Sequence, residues 1–342
     1  MNKTARKGNI TSMQRTRLVL GLLLCGLLLI AAGCQTESTP AIERVQKNIP
    51  YLDLEEDFNV RTVDVYLPEA SAAPHPTIFA LPGGAYTSLA YAHLAELLVE
   101  RGYAVVLTNY RKGSSSDSYS ALGGNDVHCA FAWMMDNAAA YELDPQRIFL
   151  FGHTAGGMAA TEMPLHGAET WEEYAAECPY PIPDTTAIQG VITYDALLGM
   201  PGGTLGTYPM VYADSWNIPG SEMMAAVEAL SNVAPKDWNE SEELDDSAQK
   251  LAGMLPLYWV YKANDEQRAA PPQLLIYDSD STDGFDWVTE AESMAEHMRA
   301  AGIAVTLDLL DNAKFQQLTD PETDVPARVA ERTDVFISET LK

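Results

Sequence analysis

An apolar run, Arg147-Ile148-Phe149-Leu150-Phe151, leads without a break into Gly152-His153-Thr154-Ala155-Gly156-Gly157, and small residues suited to a helix start follow. The order is strand, sharp turn, helix. Glycines before and after the turn let its backbone approach its neighbours, and Thr154 is left at the apex. A side chain held there stands clear of the sheet, where it can meet a ligand.

The rest of the chain alternates strand and helix patterns. Val63, Val65 and Leu67 share one face of a strand, and Thr77-Ile78-Phe79-Ala80-Leu81 is a buried run ending at Pro82-Gly83-Gly84. Leu94, Leu97 and Leu98 recur at helical spacing before Gly102, a helix stop. Further strands are expected at 104–107, 147–151, 188–193, 274–277 and 304–309, with helices at 126–139, 290–301 and 326–339. Such alternation implies an α/β fold with a mostly parallel central sheet and helices on both faces. Residues 197–261 interrupt it with Gly, Pro, Trp and the acidic run Glu240-Ser241-Glu242-Glu243-Leu244-Asp245-Asp246. That is too long for a plain connection, so it is either a cap over the strand ends or a surface insertion.

Residues 1–33 stand apart. Lys3, Arg6, Lys7, Arg15 and Arg17 precede a short apolar run from Leu18 to Ile30, and Ala31-Ala32-Gly33 leads into Cys34. A basic start, a short apolar stretch and small residues read as a secretory signal peptide. Cys34 directly after them resembles a bacterial lipobox, which implies that this cysteine is the acylated first residue of an exported lipoprotein; cleavage without lipid and an uncleaved anchor are the alternatives. Residues 34–50 read as a flexible tether, and 51–342 as the folded domain.

With five of the 21 basic residues and none of the 48 acids in residues 1–33, the remainder carries a net charge of -32. Such a surface argues against nucleic acid as a partner and leaves the lipid as the only contact with the membrane. Cys129 and Cys178 remain in the domain, where they could pair or stay as buried thiols.

Three stretches together carry a family resemblance: Pro82-Gly83-Gly84-Ala85-Tyr86 after a strand, Asn109-Tyr110-Arg111, and the 152–157 turn. They are similar to the H-G-G-[GA]-[WY], D-Y-R and G-x-S-x-G motifs of the α/β-hydrolase superfamily, on its hormone-sensitive-lipase-like and feruloyl-esterase-like carboxylesterase side. The resemblance covers about residues 55–320. It implies the α/β-hydrolase fold, an acyl-transfer site with no cofactor and no metal, and a small-molecule ester-like ligand. By it, the backbone N–H groups of Gly83, Gly84 and Ala155 are the oxyanion donors, Thr154 stands at the nucleophile and Lys314 at the histidine position. Asp283 is the acid, with Asp280 as the fallback. The loop holding those two aspartates looks superficially like a calcium loop, but its Gly284 comes one place late, so a solvated turn is expected.

The departures coincide with the chemistry. Pro82 replaces the leading histidine, Thr154 the serine and Lys314 the base, and none of the chain's six histidines falls in the base loop. An acid beside Lys314 would hold it as ammonium, so a Lys314–Asp283 salt bridge is expected where a triad would stand. Lost side chains on a retained backbone point to a pseudoenzyme or very weak ester hydrolase that binds a ligand or a protein partner. The alternative is an active ester or acyl hydrolase using Thr154 as nucleophile.

Overall fold

The computed structural model describes residues 43–52, 61–69, 73–84, 87–111, 124–196, 198, 220–238, 240–266, 268–279 and 287–342. The chain divides into Met1–Glu43 and Arg44–Lys342, and the second unit holds the fold described below. Its strands are β1 (Val45–Pro50), β2 (Thr62–Tyr66), β3 (His75–Leu81), β4 (Ala104–Asn109), β5 (Leu143–His153), β6 (Ile188–Tyr194), β7 (Gln273–Asp278) and β8 (Val305–Leu310). They form one sheet in the order β1-β2-β4-β3-β5-β6-β7-β8. β2 runs antiparallel to both β1 and β4, and every pairing from β4 to β8 is parallel.

Each central strand is apolar on both faces because both are covered. Along β7, Leu274 and Ile276 point into the core under α1 (Ala92–Val99), while Leu275 and Tyr277 point into the opposite core. The helix α9 (Val325–Thr340) joins the first side through Val329, Ala330 and Ile337. On the other side lies α8 (Trp287–Ala300), placing Ala291, Met294, Ala295 and Met298 in the core. The period-two alternation of β7 thus meets the 3.6-residue stripes of two helices, which is what holds such a sheet between layers. At Gly102, φ is +95°, a left-handed turn that ends α1 and feeds β4.

The fold begins earlier than the sequence pattern indicates. Residues 45–50, expected within the tether, pair as β1 at the sheet edge. An edge strand buries little, and β1 sets only Val45 and Ile49 against Lys47, Asn48 and Pro50, so its sequence carries almost no strand signal. In the 197–261 segment, positions 197 and 239 and residues 199–219 lie outside the described residues. Its described part forms α5 (Gly220–Asn232), α6 (Asp246–Ala252) and the start of α7 (Pro256–Asp265). Ala226, Leu230, Trp238, Leu251 and Leu257 from this stretch share a core with Leu275 and Met294, so it is built into the domain. No helix among the described residues is long and apolar enough to cross a membrane.

Cys129 of α2 (Gly124–Asp136) is disulfide-bonded to Cys178, just beyond α4 (Ala168–Tyr174), which settles the open choice between a bridge and free thiols. Between those segments runs α3 (Ala155–Glu162), the helix that starts at the turn. Closing a loop of 49 residues removes unfolded-state freedom, and a Cys129→Ala/Cys178→Ala variant should lose about 2–4 kcal/mol in urea unfolding. An unchanged midpoint would show that the bridge constrains nothing.

Candidate active site

The turn is built by close backbone approach. A Cβ on Gly152 would overlap the carbonyl of Gly156, and one on Gly156 would overlap the carbonyls of Leu81 and Pro82 at the end of β3. Gly157 is pressed against Ala196 in the same way. These glycines lock β5, the start of α3, the end of β3 and the end of β6 into one knot. At its apex Thr154 has φ 49° and ψ -114°, and its N–H donates to the Tyr194 carbonyl at 3.2 Å. For a β-branched residue this backbone costs on the order of 1–3 kcal/mol. The residue is 7% exposed.

The second part is the loop after β3. Gly84 lies against Ala155, so two of the three expected oxyanion donors are brought together. Gly83 is used differently: its N–H donates to the Tyr91 hydroxyl at 2.9 Å, which in turn contacts His153 Nδ1 at 2.6 Å. Ala85 and Tyr86 lie outside the described residues. Tyr110 donates its hydroxyl to the Pro82 carbonyl, and burial pushes its pKa up, so it stays a donor. The neighbouring Asn109 accepts from the Ser88 N–H and donates to Ser88 Oγ and Thr62 Oγ1. Arg111 grips Asp126 through two guanidinium bonds of 2.9 Å. Asp126, which reads from sequence as a helix cap, is thus the anchor for Arg111 and lies 3.5 Å from Arg61 Nε.

Burial pushes His153 down to about 3, so it is a neutral imidazole, hydrogen-bonded through Nδ1 to the Tyr91 hydroxyl. It packs between Tyr91 and Tyr194. The other histidines are placed elsewhere. His128 Nε2 lies 3.1 Å from His166 Nδ1, the two rings stacked with centroids 5.2 Å apart near Trp171 and Tyr174, while His75 lies beside Glu142, His93 beside Glu96, and His297 meets Tyr261. His297 is half-buried there and not on the solvated face its helical position suggests. Trp171 packs against His128 and Phe131 at 1% exposure.

Lys314 follows β8 as expected and caps a short 3-10 turn, Phe315–Thr319, its N–H donating to Gln317 Oε1. Its side chain is exposed, and no ion pair among the described residues includes it. Asp283, Asp280 and Cys34 lie outside the described residues, so only one partner of the expected salt bridge is placed, and it faces solvent. Sequence reasoning passed over Asp195. It follows β6 at φ 42°, fully buried, and its Oδ1 accepts from the Asp278 N–H at 2.9 Å. Its signal was an acid at the end of an apolar strand beside the turn. No metal-binding group of histidine, cysteine and acidic residues occurs among the described residues.

The sequence and its relatives bear on this geometry. The BD-FAE family model matches residues 63–193, the span that holds the glycine loop, Thr154 and most of β6. Over the whole fold, the chain is similar to esterase B from Lactobacillus rhamnosis, with a TM-score of 0.61 and 17% identity over 95% of this chain and 96% of that one. The chain has the α/β-hydrolase fold. An esterase from Thermogutta terrifontis gives a TM-score of 0.55 at 19% identity, covering 88% of this chain and 92% of that one. By sequence, this hydrolase-fold chain is 32% identical over 105 residues to a probable isoprenylcysteine alpha-carbonyl methylesterase of Arabidopsis thaliana, over 29% of its own length and 21% of that protein. It is also 39% identical over 79 residues to human bile salt-activated lipase, over 21% of its length and 10% of that protein. The chain therefore spans only a small part of these curated relatives.

The depressed His153 has a consequence for stability. Below about pH 6.5 the unfolded chain binds a proton that the folded hydrolase domain refuses, so the stability present above 6.5 falls as pH drops towards 3. His166 is lowered by burial and by His128, and acts in the same direction. Urea unfolding at several pH values should give a shallower decline for His153→Gln than for the native chain, by up to about 1.4 kcal/mol per pH unit. Parallel declines would mean that His153 takes up its proton in the fold.

Proposed function

We propose that this protein is an exported, lipid-anchored carboxylesterase-like α/β-hydrolase that binds an ester-like ligand at the elbow and hydrolyses it very slowly or not at all. The carrying observation is the pairing of a retained elbow with a missing base. Thr154 holds the strained apex geometry, yet the position that would take its proton is an exposed lysine. Lysine serves as a base where burial favours the neutral amine, and Lys314 is not buried. The imidazole next to Thr154 in the chain, on His153, is committed to Tyr91. The extra methyl of threonine also crowds the path of an incoming carbonyl.

Binding is supported by the backbone around the turn, with the Gly84 and Ala155 N–H groups as the donors and Gly83 given over to Tyr91. Gly84 and Ala155 stand together, and Tyr110 steadies the loop that carries Gly84. Those groups hold a carbonyl or carboxylate oxygen without needing a nucleophile. Export is supported by the residues up to Cys34 and by the Cys129–Cys178 bridge, since such bonds persist outside the reducing cytoplasm.

The test is hydrolysis of short p-nitrophenyl esters. Native protein and Thr154→Ala should give the same background rate. Turnover lost on that substitution would establish the alternative, an active hydrolase with threonine as nucleophile. Restoring the family's residues in Thr154→Ser/Lys314→His should raise the rate about 100-fold or more above background, the usual worth of a positioned base. Failure of that variant, with its fold intact, would show that more than two side chains separate this site from an active one.

A further inference from the structure

We propose that Arg61 seats a carboxylate of the ligand, so that the ester held at the elbow is one whose other end is an acid. This rests on the reading of the elbow as an ester-binding site. Arg61 stands just before β2, where its N–H donates to the Asn109 carbonyl at 2.9 Å and its own carbonyl accepts from the Tyr51 N–H at 3.1 Å. Those two bonds hold it at φ 65°, a left-handed backbone uncommon for an arginine.

The Arg61 side chain is 26% exposed and lacks an acceptor. Asp126 takes three bonds from Arg111, one from its N–H at 2.8 Å and one each from guanidinium Nε and Nη2 at 2.9 Å. Arg61 Nε stays 3.5 Å from the same carboxylate, and among the described residues this buried donor has no hydrogen-bond acceptor. Two guanidiniums therefore share one buried acid. Glu177, the other acid acting on Arg111, does so more weakly than Asp126. A carboxylate arriving from outside supplies what Arg61 is missing, an acceptor matched to the guanidinium fork.

The place suits a ligand that also reaches the elbow. Ala80 of β3 pairs with Leu107 of β4, so Gly84 and Arg111, each four residues further on, leave the sheet on the same side. Tyr110 bonds the Pro82 carbonyl and ties the two segments together. β5, which carries Thr154, lies two strands from β4, about 10 Å at the usual strand spacing. A carbonyl at Gly84 and Ala155 and a carboxylate at Arg61 thus belong to one molecule with several carbons between its ends. The acidic surface does not oppose this, because exposed charges are largely screened beyond about 8 Å at physiological salt.

Titration calorimetry with the monomethyl and dimethyl esters of adipic, suberic and sebacic acids, and with the free diacids, tests the seat. The best monoester should bind about 10-fold or more tightly than its diester, a preference that Arg61→Gln removes and Arg61→Lys keeps in part. Both variants should unfold at the native urea midpoint, because the Arg61 side chain makes no hydrogen bond among the described residues. Monoester and diester bound equally, by the native protein and by Arg61→Gln alike, would overturn the carboxylate seat and leave the elbow reading standing. Diacids bound in an Arg61-dependent way with neither ester bound would overturn the elbow reading and the bridging ligand, leaving an anion site alone. No binding of any of these compounds overturns both.

Discussion

Backbone packed on backbone at the elbow is the constraint on which the other parts depend. Gly152 and Gly156 meet each other, Gly156 meets the end of β3, and Gly157 meets Ala196 beyond β6. No side chain fits at any of these points, so their identity is fixed by geometry and not by chemistry. The same contacts set the angle at which α3 leaves the sheet and oblige Thr154 to adopt its strained φ. A protein can exchange the apex side chain and keep this knot, because the knot contains none of that side chain's atoms.

Around it, polar groups steady the loop without taking part in proton transfer. Tyr91 links Gly83 to His153, Tyr110 holds Pro82, and Asn109 clasps Ser88. The Arg111–Asp126 pair ties the adjoining segment to α2. Each of these keeps a donor or acceptor satisfied inside the fold, which matters more for stability than the bond's own energy. A site supported in this way stays formed whether or not it turns over a substrate. That separation is why a retained scaffold and the proposed loss of hydrolysis can coexist.

The legible part of this chain was the part governed by period and by close approach. Buried runs such as Leu274-Leu275-Ile276-Tyr277 and the glycines of the elbow announced the sheet, its parallel character and the position of Thr154. β1 was hidden because an edge strand has only one neighbour and needs little apolar surface. Long-range polar pairing was hidden as well: nothing in the sequence around Tyr91 says that its hydroxyl reaches Gly83 and His153. Asp126 read as a cap because local pattern cannot show an arginine arriving from the end of another strand. Asp195 was missed for a related reason, since its role is set by the neighbouring β7 backbone.

The central claim is that Thr154 keeps the elbow's geometry and has lost its nucleophilicity. Treating the native protein with an alkyl fluorophosphonate and mapping adducts by peptide mass spectrometry addresses it without choosing a substrate. The account predicts no adduct on Thr154 under conditions that label the introduced serine of the Thr154→Ser/Lys314→His variant. Stoichiometric modification of Thr154 in the native chain would contradict it.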